Sequence, residues 1–246
     1  MPRHSLLAAP FPQSTASGGK MPMRGGTICV ITTTIVAFGV APIANAEPDQ
    51  SWAGVFLSGA PVKDSRFLVW VDGHARLRDG AEDIDVSIVR PGVGWRVSPT
   101  VDLYVGIASV TQHRDTGDVE EQRLWQQAVY QIADFAGGKL TGRTRLEQRV
   151  RDTGDDAGWR LRQFLRYGRP IDGTPLGIVA SNEVFVGLNQ TDWGQEAGFD
   201  QNRLFLGISW QVQPKIRIEG GYLNQHINLK NDVTRDNLAV NMFASF

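Results

Sequence analysis

The sequence predicts an all-β protein, a closed antiparallel transmembrane β-barrel of about 10–12 long strands following a cleaved signal peptide. Three observations carry this. After residue 46 apolar and polar residues alternate almost throughout, whereas no stretch beyond about ten residues keeps helical three-and-four spacing. The alternating segments are mostly about 12–15 residues long. Strands of soluble sheets usually have about 5 or 6 residues, and a tilted membrane strand needs roughly 9–11 in the apolar zone. Finally, short and long connections alternate along the chain, the asymmetry of outer-membrane barrels with tight periplasmic turns and longer external loops.

The N-terminal 46 residues contain no Asp or Glu and carry Arg3, Lys20 and Arg24. An apolar, Thr-rich run, Thr27–Val40, leads to the small-x-small site Ala44-Asn45-Ala46. A basic start, an apolar middle and a small-residue site form the secretory signal pattern. The run is shorter than the roughly 20 residues of a membrane helix. Residues 1–46 are therefore read as signal peptide, with 1–20 as a surplus extension, and 47–246 as the barrel. The single cysteine, Cys29, falls in the signal, so an exported chain would carry no disulfide. The full chain has 25 Lys and Arg against 26 Asp and Glu, a net charge of -1; removing the three basic residues leaves about -4. Such a balance argues against nucleic acid as a partner.

Candidate strands lie at 51–59, 66–78, 84–97, 100–113, 121–134, 138–152, 157–169, 175–190, 200–213, 215–229 and 235–246. In 200–213, Leu204, Leu206, Ile208, Trp210 and Val212 share one face, and Arg203, Phe205, Gly207, Ser209 and Gln211 the other. The short connections are centred on Pro99, Gly137, Asp172-Gly173 and Pro214; the longer polar ones are RDTGDVEE, RDTGDDAG, NQTDWGQEAGFD and LKNDVTRD. Trp95, Trp125, Trp159, Trp193, Trp210, Tyr167 and Tyr222 are placed near strand ends, where aromatic rings suit a membrane–water boundary. Eleven candidates conflict with the even number usual in single-chain bacterial barrels, so ten or twelve wall strands are expected, twelve preferred, with 51–59 the weakest segment.

The last ten residues, NLAVNMFASF, form a strongly alternating strand ending on Phe246. An open edge in lipid leaves backbone groups unsatisfied at several kcal/mol each, so this strand must pair on both sides. A terminal Phe on such a strand resembles the signal read by the barrel-assembly machinery of Gram-negative bacteria. SWAGVFLSG, RTRLEQRVRD with GWRLRQFLRY, ASNEVFVGLN, FDQNRLFLGISWQV, GGYLNQ and the closing strand resemble the bacterial family known as domain of unknown function 2490, over roughly residues 50–246. Asn182-Glu183 and Gln201-Asn202-Arg203-Leu204 are its most distinctive motifs here. The resemblance implies a barrel layout and an outer-membrane location, and no chemistry.

With apolar faces outward, the lumen receives a basic wall of Arg143, Arg145, Arg149, Arg151, Arg160, Arg162, Arg166 and Arg203, interleaved with Asp72, Glu147, Glu183 and Glu219. Asp72, His74, Arg76, Arg96, Arg123 and Arg217 also fall on inward faces, while Asp115, Asp118, Glu120, Glu121, Asp152, Asp155, Asp156, Asp192, Glu196 and Asp200 are assigned to loops. Two roles fit such a lumen: a structural plug of charge-assisted hydrogen bonds, or a narrow route preferring small anions. The alternative is a lipid-modifying enzyme using His74 with an inward acid. No catalytic motif, metal-spaced cluster or phosphate loop appears. The expected partners are outer-membrane lipid, the assembly machinery and small anions, for a monomer without cofactor or metal.

Overall fold

The computed structural model describes residues 49–78, 82–228 and 232–246. The expected signal peptide lies outside them. Eleven strands follow one another among the described residues: β1 Gln50–Gly59, β2 Phe67–Arg78, β3 Asp83–Ser98, β4 Val101–Gln112, β5 Val119–Phe135, β6 Gly138–Arg151, β7 Gly158–Pro170, β8 Leu176–Gly187, β9 Gly198–Gln213, β10 Ile216–Ile227 and β11 Val233–Ser245. Each pairs antiparallel with its neighbours in sequence, and β1 closes the barrel against β11.

The preference for twelve strands is corrected. All eleven candidates stand in the wall, 51–59 included. A meander with an odd number of strands brings its first and last strands together pointing the same way. Closure is accordingly parallel, with Gln50 opposite Asn237 and Ser58 opposite Ser245. Inside the barrel Phe56 stacks on Phe243 at 4.6 Å across this seam. The closing strand is thus paired on both sides, by β10 and by β1.

One rim carries the turns 99–100, 136–137, 171–175 and 214–215; the other carries the loops 113–118, 152–157 and 188–197. The segment 60–66, on the short-turn rim, breaks this asymmetry. The turn 136–137 has positive φ at both Ala136 (50°) and Gly137 (74°), the geometry of a tight hairpin whose twist matches the flanking strands.

The wall inverts the polarity of an ordinary protein. Large apolar side chains stand exposed on the outside, such as Val105, Ile107, Ile178, Leu206 and Ile208. Asp72, Asp102, Glu121, Glu147 and Arg145 are almost wholly buried inside. Phe67, Trp95, Phe135, Tyr167, Trp210 and Phe246 lie on strand ends at the short-turn rim, and Trp159 and Phe199 near the other. Trp125 is a correction: it faces inward from mid-β5 with no exposed surface. It presses against Gly92 and Gly106, where a Cβ would come within 2.4 Å of its ring, so both positions require glycine. Trp193 lies in the 188–197 loop and not on a strand.

Leu68, Trp70, Tyr104, Ala108, Trp125 and Val129 form an apolar core inside the β2–β5 wall. It fills part of the lumen there, and charged residues line the rest, with a smaller apolar cluster of Val179, Phe205, Leu223 and Ala239 on β8–β11.

The parallel seam is testable by cross-linking in a Cys29→Ser background. Ala53 lies opposite Val240, so Ala53→Cys with Val240→Cys is expected to oxidise to an intramolecular disulfide, read as an electrophoretic shift reversed by reductant. Ala53→Cys with Ala244→Cys, displaced by four residues or roughly 13 Å, is expected not to, because disulfides need Cα atoms within about 7 Å.

Candidate functional site in the barrel interior

Alternation sends every second residue inward, and the strand register sets acids opposite arginines. Asp72 of β2 faces Arg90 of β3, Arg96 faces Asp102 of β4, Glu121 of β5 faces Arg151, and Glu147 of β6 faces Arg160. Each is a direct cross-strand pair, the arrangement that lets opposite charges support a sheet.

Three carboxylates act as hubs. Glu121 accepts hydrogen bonds from Arg123 Nε (2.6 Å), from Arg149 Nε and Nη2 (2.7 and 2.9 Å) and from Arg151 Nη2 (3.0 Å). Glu147 accepts from Arg160 Nη2 and Arg162 Nη1, both at 2.7 Å, with Arg90, Arg123 and Arg145 within 4 Å. Glu183 accepts from Arg162 Nη2 (2.8 Å) and Arg143 Nη2 (2.9 Å). Nearer the short-turn rim, Arg166 Nη2 bonds Glu219, and Arg217 Nε lies 2.9 Å from the same carboxylate without hydrogen-bond alignment. Guanidinium suits these hubs because its planar fork serves two oxygens at once.

Arg76 and Arg203 have no carboxylate within ion-pair distance among the described residues, and Arg145 relies mainly on other partners. Arg76 sits over the ring of Trp52 at 4.1 Å. Arg203 sits over Trp52 at 4.8 Å and Phe185 at 4.5 Å, and its Nε and Nη2 donate to Gln201 Oε1. Stacking on an aromatic face attracts the cation without neutralising it. Arg145 spends Nε and Nη2 on Gln127 Oε1 and lies over Trp125 at 4.8 Å.

A cavity of about 1010 Å³ runs through this region. Arg114, Asp200 and Arg235 line it near the long-loop rim, and Thr141, Arg166 and Arg217 near the other. Thirteen arginines and five carboxylates line it. Adding the buried Asp72, Glu121 and Glu147 brings the carboxylates to eight, so arginine stays in excess.

His74 also lines the cavity. Its Nε2 lies 2.7 Å from Asp72 Oδ1. The same carboxylate takes the Trp70 indole N–H at 2.5 Å and Arg90 Nη2 at 2.7 Å. Among the described residues no hydroxyl is hydrogen-bonded to His74, so the pair has no nucleophile in hand.

The loop 188–197 folds over the long-loop end. Trp193 lies over Arg149 and Arg151 at 5.1 and 4.7 Å, and Gln195 Oε1 accepts from Arg149 Nη1 at 2.9 Å. Asp192 fastens this loop to the 152–157 loop by accepting the backbone N–H groups of Asp155 (2.8 Å) and Asp156 (3.2 Å). These hydrogen bonds, Asp155's first, hold the Asp192 carboxyl below its ordinary value.

The structure therefore gathers the eight basic-wall arginines of the sequence reading, with Asp72, Glu147, Glu183 and Glu219, around one interior. It adds Arg90, Asp102, Gln127 and Gln195. Glu121 is a third correction. It is a buried hub and not a loop acid, because β5 begins at Val119 and puts Glu121 on the same face as Arg123. Asp200 likewise belongs to β9 and lies 3.3 Å from Arg160 Nη1. The distinctive motifs acquire a reason too. Asn182 and Asn202 exchange side-chain amide hydrogen bonds on the outer face at 3.0 and 3.1 Å. Inward, Glu183 stands opposite Arg203.

Fold and interior together define a closed β-barrel with an ion-paired, arginine-rich lumen. The chain belongs to the family described as protein of unknown function DUF2490, whose model matches residues 49–237. It is similar to an uncharacterised protein of Methylorubrum extorquens, 38% identical over 210 residues, which are 82% of this chain and 90% of that relative.

Breaking a buried ion pair strands its partners, at about 3–5 kcal/mol. Glu147→Gln is therefore expected to lower the unfolding free energy of the barrel, read from urea titrations, by that much, while Asp115→Asn on the exposed rim stays within about 0.5 kcal/mol. The Asp192 fastening follows its carboxylate. A carboxyl held below its ordinary value supports the docked loop fully above the ordinary carboxylate pKa and loses that support as pH falls through the lowered one. Amide hydrogen exchange at Asp155 and Asp156, corrected for intrinsic rates, is expected to stay slow from neutral pH through the ordinary carboxylate range and to quicken below it. Asp192→Asn is expected to make it fast at neutral pH.

Proposed function

We propose that this protein is an outer-membrane barrel whose lumen is a narrow route preferring small anions. The single observation that carries the reading is the excess of arginine around a cavity lined from both rims. Unneutralised guanidinium groups raise the local concentration of anions and repel cations, and arginine along a pore selects for anions.

The exterior supports the location. On β9, Phe199 and Trp210 are eleven residues apart. At about 3.3 Å per residue that is roughly 36 Å along the strand, or about 28 Å across a membrane at about 40° tilt, close to the roughly 25 Å apolar band of such barrels. The turn-rim aromatics and outward apolar side chains fit a bilayer with the short turns and Phe246 at the periplasmic face. The long loops and the start of β1 then face outward.

The apolar core around Trp125 narrows the lumen beside β2–β5, and the cavity passes it lined by His74, Arg90 and Arg123 as well as by residues of β7–β11. A purely structural barrel is the competing reading, favoured by the dense hydrogen bonding of Glu121 and Glu147.

Planar bilayers decide between them. The barrel is expected to conduct with a reversal potential favouring chloride under a KCl gradient. Arg76→Gln with Arg203→Gln is expected to reduce that preference without orphaning a carboxylate. Bilayers that stay at the baseline of lipid alone would leave the structural reading standing.

A further inference from the structure

The wall beside Arg76 and Arg203 is mixed: Gln201 and Gln225 adjoin Arg203, and an apolar patch lies next to them. Phe205 of β9, Leu223 of β10 and Ala239 of β11 form one buried cluster with Val179, and Trp52 packs against it. The first three and Trp52 line the cavity. Trp52 is also the ring on which Arg76 and Arg203 rest, at 4.1 and 4.8 Å, so the two guanidinium carbons lie within about 9 Å of each other. Both arginines line the cavity, so the two oxygens of one carboxylate can bridge forks no farther apart than that. Neither arginine has a carboxylate in ion-pair distance among the described residues, and Arg203 Nη1 is free of the Gln201 contact.

This juxtaposition differs from the rest of the lumen. Around Glu121 and Glu147 the guanidinium groups are consumed by carboxylates, and the wall offers a ligand little that is unpaired. Beside Trp52, two cations held by aromatic stacking border a dry floor of Phe205, Leu223 and Ala239. Inorganic phosphate or chloride would satisfy the cations and leave the apolar floor against water. An anion with an apolar body satisfies both, because burial of its hydrocarbon adds about 25 cal/mol per Å² and its head meets charge-assisted donors.

From the Arg76–Trp52–Arg203 cluster above the Phe205–Leu223–Ala239 floor, we infer that the lumen holds a binding site for small amphiphilic organic carboxylates. It deepens the anion-route reading by naming the ligand class, yet it is tested without conduction.

Isothermal titration with benzoate, hexanoate, acetate and inorganic phosphate, on the folded barrel in a neutral detergent at constant ionic strength, is the test. Micelle partitioning is measured on detergent alone. Saturable binding of benzoate and hexanoate is expected, at least tenfold tighter than acetate or phosphate. Arg203→Gln and Arg76→Gln are each expected to weaken it tenfold or more, and Arg203→Lys less than Arg203→Gln. Leu223→Asn is expected to weaken hexanoate while leaving the weak phosphate affinity unchanged; it tests the floor without touching the cations. Each variant is checked for the folded, heat-modifiable band. Phosphate binding as tightly as benzoate would overturn the amphiphilic assignment, and so would wild-type benzoate affinity in the folded Arg203→Gln protein. A barrel that binds benzoate but does not conduct would keep the site and remove the route; one that conducts chloride but binds no benzoate would do the reverse.

Discussion

Charge buried inside an apolar-walled ring is the constraint on which the other features of this protein depend. Glu147 alone has five guanidinium groups within 4 Å. Taking such ions out of water costs several kcal/mol each unless geometry and hydrogen bonds compensate. Compensation here needs strands in a fixed register, because partners such as Glu147 and Arg160 sit opposite one another on adjacent strands, while others, such as Arg166 of β7 and Glu219 of β10, meet across the lumen. Register in turn needs a closed wall, since a one-residue slip would turn every arginine outward. The ion pairs and the closure therefore specify each other.

Closure with eleven strands has a further consequence. A meander of odd number ends as it began, so its seam is parallel, and parallel pairing is slightly weaker per residue than antiparallel. Interior stacking of Phe56 on Phe243 reinforces that seam. It also places the start of β1 and the end of β11 at opposite rims. The cavity runs along this side of the barrel, with Trp52 of β1 and Phe243 of β11 in its wall. The tightest apolar packing, where Trp125 lies against Gly92 and Gly106, is on the far side. The lumen is thus uneven: apolar packing around Trp125 thickens one side, while residues of all the strands border the cavity.

Much of the wall was legible because period-two alternation is a local property. Every candidate strand appears within three residues of its expected ends, and the arginines of β6 and β7 point inward as their spacing requires. Glu121 and Trp125 were misplaced where the pattern blurs. The two faces of β5 are both mixed, Val119, Glu121, Arg123, Trp125, Gln127 and Val129 inside against Glu120, Gln122, Leu124, Gln126, Ala128 and Tyr130 outside. Parity with Arg123 was the available signal. Which acid meets which arginine was not legible at all, because register depends on bulges such as those between Arg76 and Leu77 and between Phe185 and Val186. The cationic pair on Trp52 was hidden for the same reason: Arg76 and Arg203 lie 127 positions apart and meet only when the ring closes.

The central claim is that the outward apolar faces touch acyl chains while the charged faces do not. Single cysteines at Val105, Leu206 and Ile178, labelled with an environment-sensitive fluorophore and reconstituted, place reporters on the outer wall; one at Ser181 places a reporter in the lumen. Vesicles containing brominated lipid are predicted to quench the three outer labels strongly and the Ser181 label little. Equal quenching at all four positions, or water-like emission from the outer labels with no quenching, would contradict the account.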